Sequence, residues 1–170
     1  MKRKLSKIYT LYTTIFFILI ALLPYFSFGE ETEIIALKNN IKVIDGDSLE
    51  INEHRIRLTG IDAPEFLQTC KDSSNKKYKC GIKSTEFLKN LIKDQVVTCQ
   101  SHGKDQYNRL LCTCYIGNTN LNQEMVKNGH AIPYLDATYN KDEEFAKHYK
   151  LGIWNGNFMH PRLFRLLNEK

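Results

Sequence analysis

The sequence predicts an α+β domain, a small and mainly antiparallel β-barrel covered by helices. Short β-branched runs bounded by turn residues fill residues 33–60 and return at residues 95–116. Amphipathic helical patterns are inserted after residue 80 and again towards the C-terminus. With 170 residues and 42% hydrophobic content, the chain is long enough for one globular core.

The N-terminus differs in composition from the rest of the chain. Four basic residues precede an apolar run from Ile15 to Leu23, and small residues follow it. These features predict an export signal at residues 1–29 and a folded domain at residues 30–170. The alternative is an uncleaved membrane anchor at residues 8–28, a stretch that is nearly long enough to span a bilayer but contains Pro24. In either case we expect an exported domain, secreted, periplasmic or held in the cell envelope.

The predicted strands centre on a hairpin. Asn52-Glu53 is a tight-turn candidate with a strand pattern on each side. In the second arm, Ile56 and Leu58 share one face and Arg57 faces away from them, so the pleat separates a buried side from a functional side. Strands are predicted at residues 33–45 (as one or two), 48–51, 54–60, 95–100 and 109–116.

Three helices are predicted. Residues 82–93 carry a one-sided apolar stripe, and residues 121–128 carry a shorter one that ends at Gly129. Residues 141–150 begin with acidic and end with basic side chains before Gly152, the charge order that suits a helix dipole.

The charge of the chain gives no support for a general nucleic-acid binder. The formal net charge is +5, with 24 basic and 19 acidic residues, and the export signal holds four of the basic ones. The mature domain is therefore close to neutral, with 20 basic residues against 19 acidic ones. Any anion binding must come from a few positioned side chains.

Five cysteines lie in the predicted mature domain, where an oxidising compartment would let them pair. Cys70 and Cys80 bracket a polar loop that a disulfide would fix. Cys99 is expected to pair across a hairpin with Cys112 or Cys114, which leaves one thiol unpaired. The spacing does not favour zinc, because no CxxC pair occurs.

Six carboxylates lie within residues 43–65, and four of them flank the predicted hairpin, namely Asp45, Asp47, Asp62 and Glu65. Crowded carboxylates repel each other and raise each other's pKa unless a cation compensates them. Asp47 and Asp62, brought together by the hairpin with a backbone carbonyl nearby, offer the hard oxygen ligands that Ca²⁺ prefers. Glu65 would then be free to orient or deprotonate a water molecule.

Two arginines suit a phosphate. Arg57 from the hairpin and Arg109 from the stretch DQYNR stay charged and donate in a plane that matches phosphate oxygens. Such groups stabilise the extra negative charge of five-coordinate phosphorus. Together with a metal and a water-orienting carboxylate, they are what hydrolysis of a phosphodiester requires.

At this point the chain resembles a known family, the staphylococcal nuclease (thermonuclease) family, in its exported bacterial form. The resemblance covers nearly all of the mature chain, and its first two motifs are the most specific. The matching stretches are VIDGDS at 43–48, RLTGIDAPE at 57–65, DQYNR at 105–109, LNQEMVKNGHA at 121–131 and GIWNG at 152–156.

The resemblance implies a five-stranded OB-fold barrel with about three helices. It also implies a Ca²⁺-dependent endonuclease that hydrolyses DNA and RNA at the 5′ P–O bond and leaves 3′-phosphate ends. Carried over by position, Asp47, Asp62 and the main-chain oxygen of Ala63 would ligate Ca²⁺, with Asp45 behind them. Glu65 would activate water, Arg57 and Arg109 would clamp the phosphate, and Tyr107 and Tyr134 would lie near the bound nucleotide.

Three departures from the family pattern bear on the site. Ala63 replaces a threonine, which does not matter if only the carbonyl binds metal. Gln106 stands where a lysine can contact a terminal phosphate, which puts a preference for end-phosphorylated substrates in doubt. Asn108 replaces a glycine, and asparagine tolerates positive φ better than most residues.

The alternative to an enzyme is a non-catalytic OB-fold module that binds nucleic acid or protein. The presence of Glu65 together with Arg57 and Arg109 favours the enzyme. We expect DNA and RNA as substrates, a monomer, and membrane contact only if the N-terminal segment is uncleaved.

Overall fold

The computed structural model describes residues 33–36, 40–135 and 137–168. The expected export signal at residues 1–29, and the alternative anchor at residues 8–28, lie outside these ranges. Within them, no helix has the length and apolar character required to cross a membrane.

Short strands make up much of the described chain. They are β1 Glu33–Ala36, β2 Ile41–Val43, β3 Ser48–Ile51, β4 His54–Leu58, β5 Ile61–Asp62, β6 Cys70–Asp72, β7 Lys77–Tyr78, β8 Val97–Lys104, β9 Leu110–Ile116, β10 Thr119–Asn120, β11 Ile132–Pro133 and β12 Gly156–Asn157. The main sheet has the order β1-β8-β9-β4-β3-β2, with β10 paired to β9. Two small sheets, β11-β5 and β12-β6-β7, complete the set among the described residues.

The β3–β4 hairpin has a turn of the kind that matches strand twist. Asn52 and Glu53 both have positive φ, 48° and 67°, as a two-residue type I′ turn requires. The register pairs Leu49 with Ile56, and the exposed fractions of these side chains are 1% and 0%. Because the pleat alternates, Arg57 is turned to the opposite face.

Strand β4 also pairs with β9, and this pairing is parallel, unlike the other pairings among the described strands. Ile56 aligns with Leu110 and Arg57 with Leu111. Arg109 immediately precedes β9, so it reaches the same end of the sheet as Arg57 although 52 positions separate them in sequence.

The described residues contain four helices: α1 Cys80–Ile92, α2 Leu121–Lys127, α3 Asn140–His148 and α4 Pro161–Asn168. The first three lie where helices were predicted, and a 3₁₀ turn covers Gly152–Asn155. The expectation of about three helices misses α4. This helix begins with proline, which is favourable at a first helical position because its missing N–H needs no partner there.

The α+β class is as predicted, but the strand pairing differs from a simple five-stranded barrel. Among the described strands, the main sheet is an open path with β1 and β2 at its edges. The small sheets use strands of two or three residues, which are too short to give a periodic signal in the sequence.

One face of the main sheet packs against α1 and α2. Its buried core includes Leu49, Ile51, Ile56, Leu58, Leu88, Val97, Leu121, Met125 and Val126.

Two disulfides are formed, Cys70–Cys80 and Cys99–Cys114. Cys112 keeps a buried thiol, and burial raises its pKa to about 11. The Cys70–Cys80 bond joins the loop that follows the carboxylate motif to the first residue of α1.

Candidate active site

A cleft of about 550 Å³ opens beside the β3–β4 hairpin. It brings together side chains from the hairpin, from the loop before β9, from the segment after β11 and from α4. The predicted site residues that line it are Asp45, Asp47, Arg57, Glu65, Tyr107, Arg109 and Tyr134.

Asp47 is held by its own loop and by the next carboxylate motif. Its side-chain Oδ2 accepts a hydrogen bond from the backbone N–H of Ala63 at 2.6 Å, and Oδ1 accepts one from the Ser48 hydroxyl at 3.1 Å. Asp45 closes the turn by accepting from the Asp47 N–H at 3.0 Å. Burial raises the pKa of Asp45, an effect that its hydrogen bond with Ser48 and the charge of Arg57 oppose.

Asp62 is fully buried, with an exposed fraction of 0%. The Nη2 atom of Arg57 donates to Asp62 Oδ1 at 3.1 Å and to the Ile61 carbonyl at 3.2 Å. The Nη1 atom of Arg57 contacts Asp47 Oδ1. Burial lowers the pKa of Arg57, and the charge of Asp62 opposes this. Asp47 and Asp62 therefore both contact the guanidinium of Arg57.

Glu65 is positioned by Gln68, a fully buried side chain. The Glu65 N–H donates to Gln68 Oε1 at 3.1 Å, and Gln68 Nε2 donates to the Met159 carbonyl at 2.6 Å. The Glu65 carboxylate accepts a hydrogen bond from Arg165 Nη1 at 2.7 Å. The loop that carries Glu65 is thus tied to the segment that leads into α4.

Helix α1 supports both carboxylate loops through its small residues. A Cβ added at Gly46 would lie 1.9 Å from Ser84 Oγ, and one added at Gly81 would lie 1.8 Å from the Glu65 carbonyl oxygen. The Ser84 hydroxyl also donates to the His130 carbonyl at 2.6 Å. Because glycine lets the backbones approach closely, α1 fixes how far apart the two loops lie.

Arg109 is fixed by a turn that starts at Asp105. The Asp105 carboxylate accepts from Arg109 Nε at 2.8 Å and Nη2 at 2.7 Å, and also from the Arg109 and Tyr107 N–H groups. Burial raises the pKa of Asp105, but these bonds outweigh it and the pKa is lowered. Asn108 has φ 61°, the positive φ that its turn position requires.

Two tyrosines flank the arginines. Tyr107 is 63% exposed, and the guanidinium carbon of Arg109 lies 5.6 Å from its ring centre. Tyr134 is half-buried, and its N–H donates to the Gly60 carbonyl at 2.9 Å. Gln106 also lines the cleft.

The donor set suits a hard divalent cation, although the described residues form no group of three or more acidic, histidine or cysteine side chains arranged to hold a metal. Two carboxylates already share one cationic partner, the Arg57 guanidinium. Ca²⁺ takes six to eight oxygen ligands, including backbone carbonyls and waters. Asp47, Asp62 and the Ala63 carbonyl therefore fit Ca²⁺ in chemistry.

Among the residues that position the carboxylates, sequence reasoning missed Gln68 and Arg165. Arg165 contacts both Asp62 and Glu65, at 2.8 and 2.7 Å. The pattern PRLFRLLN, with Pro161 first and arginines three apart, could have indicated α4. Gln68 gives no such signal, because it lies in a short loop without periodicity.

Residues 55–156 match the family model described as staphylococcal nuclease homologue. Over 123 residues the chain is 32% identical to the succinoglycan biosynthesis protein ExoI of Rhizobium meliloti, covering 69% of this chain and 64% of that protein. Over 135 residues it is 32% identical to endonuclease YhcR of Bacillus subtilis, covering 68% of this chain and 11% of that protein.

A third relative is an uncharacterized endonuclease of Escherichia coli O157:H7, 34% identical over 126 residues, with 68% of this chain and 74% of that protein covered. The chain spans less than two thirds of the length of the first two relatives. The family model nevertheless covers more than half of the chain, including Arg57 and the later site residues Asp62, Glu65 and Arg109. The chain therefore belongs to the staphylococcal nuclease homologue family.

Proposed function

We propose that this domain is a Ca²⁺-dependent nuclease that hydrolyses phosphodiester bonds of DNA and RNA. The observation that carries the proposal is one cleft lined by carboxylates and arginines, namely Asp47, Glu65, Arg57 and Arg109. The buried Asp62 contacts one of these arginines, Arg57. Relatives whose names include endonuclease support it. Family membership implies an OB-type barrel, and we infer that the main sheet supplies its strands.

Asp47, Asp62 and the main-chain oxygen of Ala63 would hold Ca²⁺, and Asp45 would keep the Asp47 loop closed. When bound, the ion supplies positive charge for a non-bridging phosphate oxygen. The hydrogen bond from the Ala63 N–H to Asp47 supports this grouping, because it keeps the two motifs in contact.

The protein side chains supply the rest of the reaction. Glu65 accepts a proton from a water molecule, whose oxygen forms a bond to phosphorus as the bond from phosphorus to the 5′ oxygen breaks. The 5′ oxygen takes up a proton, so the products carry a 3′-phosphate and a 5′-hydroxyl. Arg57 and Arg109 donate to the equatorial oxygens and stabilise the charge of the transition state.

Tyr107 and Tyr134 would bind the nucleotide next to the scissile phosphate. The exposed ring of Tyr107 supports stacking on a base, a contact that every base can make. The two disulfides support an oxidising compartment as the place where the domain works, in keeping with export.

The decisive experiment measures cleavage of end-labelled single-stranded DNA and RNA by the purified full chain, with Ca²⁺ and then with a chelator. We expect Ca²⁺-dependent cleavage with 3′-phosphate ends. Glu65→Gln should lower the rate by about 10²–10⁴-fold, and Arg109→Ala by about 10²–10³-fold. Glu86→Gln is the matched control, because Glu86 is exposed on α1 and pairs with Lys83.

Binding of either nucleic acid without cleavage at any Ca²⁺ concentration would refute the enzyme and leave the non-catalytic binding module. Undiminished turnover in Glu65→Gln, with the fold intact by circular dichroism, would remove the role given to Glu65.

A further inference from the structure

Arg165 on α4 occupies the carboxylates on which the proposed reaction depends. Its Nη1 donates to Asp62 Oδ1 at 2.8 Å and to Glu65 Oε1 at 2.7 Å, and its Nη2 donates to Asp62 Oδ2 at 3.2 Å. Both oxygens of Asp62 and one oxygen of Glu65 thus contact the Arg165 guanidinium, and Asp62 Oδ1 also keeps its bond from Arg57 Nη2.

This arrangement conflicts with a second cation at the same oxygens. A planar guanidinium that forms bonds to both oxygens of a carboxylate blocks its approach by another ion, and two adjacent positive charges repel. Asp62 is fully buried, so its charge requires a positive partner. Arginine stays protonated in proteins, so the guanidinium carries its positive charge in this position.

Few other contacts hold α4 in place. Pro161 is its only buried residue among those described, and Leu163, Leu166 and Leu167 are 47%, 61% and 64% exposed. The bond from Gln68 to the Met159 carbonyl fixes the segment just before the helix. Without the Arg165 contacts, α4 would be held mainly by this segment and by the half-buried Phe164.

We propose that Arg165 is an internal counter-ion that Ca²⁺ must displace from Asp62 and Glu65, so that α4 sets the Ca²⁺ concentration at which the site fills. The proposal rests on the proposed use of Ca²⁺. At low Ca²⁺ the arginine occupies one oxygen of the Glu65 carboxylate. At high Ca²⁺ the ion takes Asp62, and Glu65 becomes free to act as a base.

The test is Ca²⁺ binding by titration calorimetry on the purified full chain, without nucleic acid. Arg165→Gln should bind Ca²⁺ about tenfold more tightly than the natural sequence, because a charge-assisted contact no longer competes. Arg165→Lys, which keeps the charge but not the planar fork, should fall between the two.

Arg162→Gln is the matched control, because Arg162 lies one turn earlier on α4 and lines the same cleft. Arg162→Gln removes the same charge, so a rise in Ca²⁺ affinity that both variants show reports only the loss of one nearby positive charge. We expect that rise to be within about threefold. Hydrogen exchange supplies a second measurement, in which Ca²⁺ should speed amide exchange in residues 161–168 of the natural sequence.

The possible outcomes distinguish a failure of the counter-ion role from a failure of the proposed Ca²⁺-dependent nuclease. Ca²⁺ binding by the natural chain with equal or weaker binding by Arg165→Gln would overturn the counter-ion role and leave the nuclease proposal intact. A higher KM for nucleic acid in Arg165→Gln at unchanged Ca²⁺ affinity would overturn it in favour of a phosphate contact. Failure of every form, Arg165→Gln included, to bind Ca²⁺ would refute the Ca²⁺ dependence itself.

Discussion

Replacing Gly46 by alanine tests whether α1 sets the position of the carboxylate loop. The added Cβ would lie 1.9 Å from Ser84 Oγ, 2.9 Å from Ser84 Cβ and 2.7 Å from Ala63 Cβ. The φ of Gly46 is outside the left-handed region, so alanine is compatible with the backbone and the effect is purely steric.

The size of the effect follows from the contacts that side-chain rotation cannot relieve. The Ser84 hydroxyl can rotate away if it gives up its bond to the His130 carbonyl. The Cβ atoms of Ala63 and Ser84, at 2.7 and 2.9 Å, cannot, so the loop must shift by about 0.3 Å to restore the 3.0 Å below which real Cβ atoms essentially never approach. Overpacking of this kind lowers the free energy of unfolding by about 1–3 kcal/mol, and we expect about 2 kcal/mol. The same movement displaces Asp47 from the Ala63 N–H, so affinity for the Ca²⁺ that we propose binds there should also fall.

A double-mutant cycle measured by urea unfolding isolates this contact. Ser84→Gly removes both close atoms of Ser84, at the expense of its bond to the His130 carbonyl and about 1 kcal/mol of helix propensity. In Gly46→Ala/Ser84→Gly, the loss should be smaller than the sum of the single losses by about 1 kcal/mol. Additive losses, within about 0.5 kcal/mol, would refute the claim that α1 spaces the two loops.

Two further predictions concern pH and redox state. Burial, with the charge of Lys83, lowers the pKa of His130 to about 4, below its unfolded value of 6.5. Between these two pH values the unfolded chain therefore binds more protons than the folded chain. The free energy of unfolding should fall by up to about 3 kcal/mol as the pH drops from about 6.5 to about 4. Urea unfolding of His130→Asn should show a flatter pH dependence than the exposed-site control His148→Asn, and equal slopes would contradict the assignment. Cys70→Ser/Cys80→Ser opens a loop with a sequence separation of 10 and should lower the free energy of unfolding by about 2.7 kcal/mol. An unchanged urea midpoint in that variant would show that the polar loop is already ordered without its disulfide.

The hairpin could be predicted from sequence because everything that defines it is local. Asn52 and Glu53 supply the turn, and the alternation of Ile56, Arg57 and Leu58 assigns the two faces of β4 without reference to the rest of the chain. Strands of two residues, such as β5, have no such alternation and form only because their neighbours are already in place.

Choices that depend on register could not be made from the sequence. Cys112 and Cys114 lie on the same face of β9, so the pleat does not decide which of them pairs with Cys99. The structure aligns Cys99 with Cys114 and Cys112 with Ser101, close to an irregularity between Ser101 and Lys104. The register between β8 and β9 therefore determines which cysteine pairs with Cys99.

The carboxylates and arginines of the site were predictable because they lie in compact motifs. Arg165 lies 100 residues beyond Glu65, and no local pattern indicates which carboxylate a distant helix will reach. A sequence pattern could have indicated α4 itself, but not its arginine as a partner of Asp62.

The parallel pairing of β4 with β9 has a consequence for the order of folding. Arg57 and Arg109 come together only when segments more than 50 positions apart have joined, and such non-local pairing forms slowly because the loop must close before the contact contributes. The β3–β4 hairpin, in contrast, can form within microseconds. During refolding the hairpin should therefore exist well before the proposed phosphate site does, and recovery of the proposed nuclease activity would mark the closure of the β4–β9 pair rather than the formation of secondary structure.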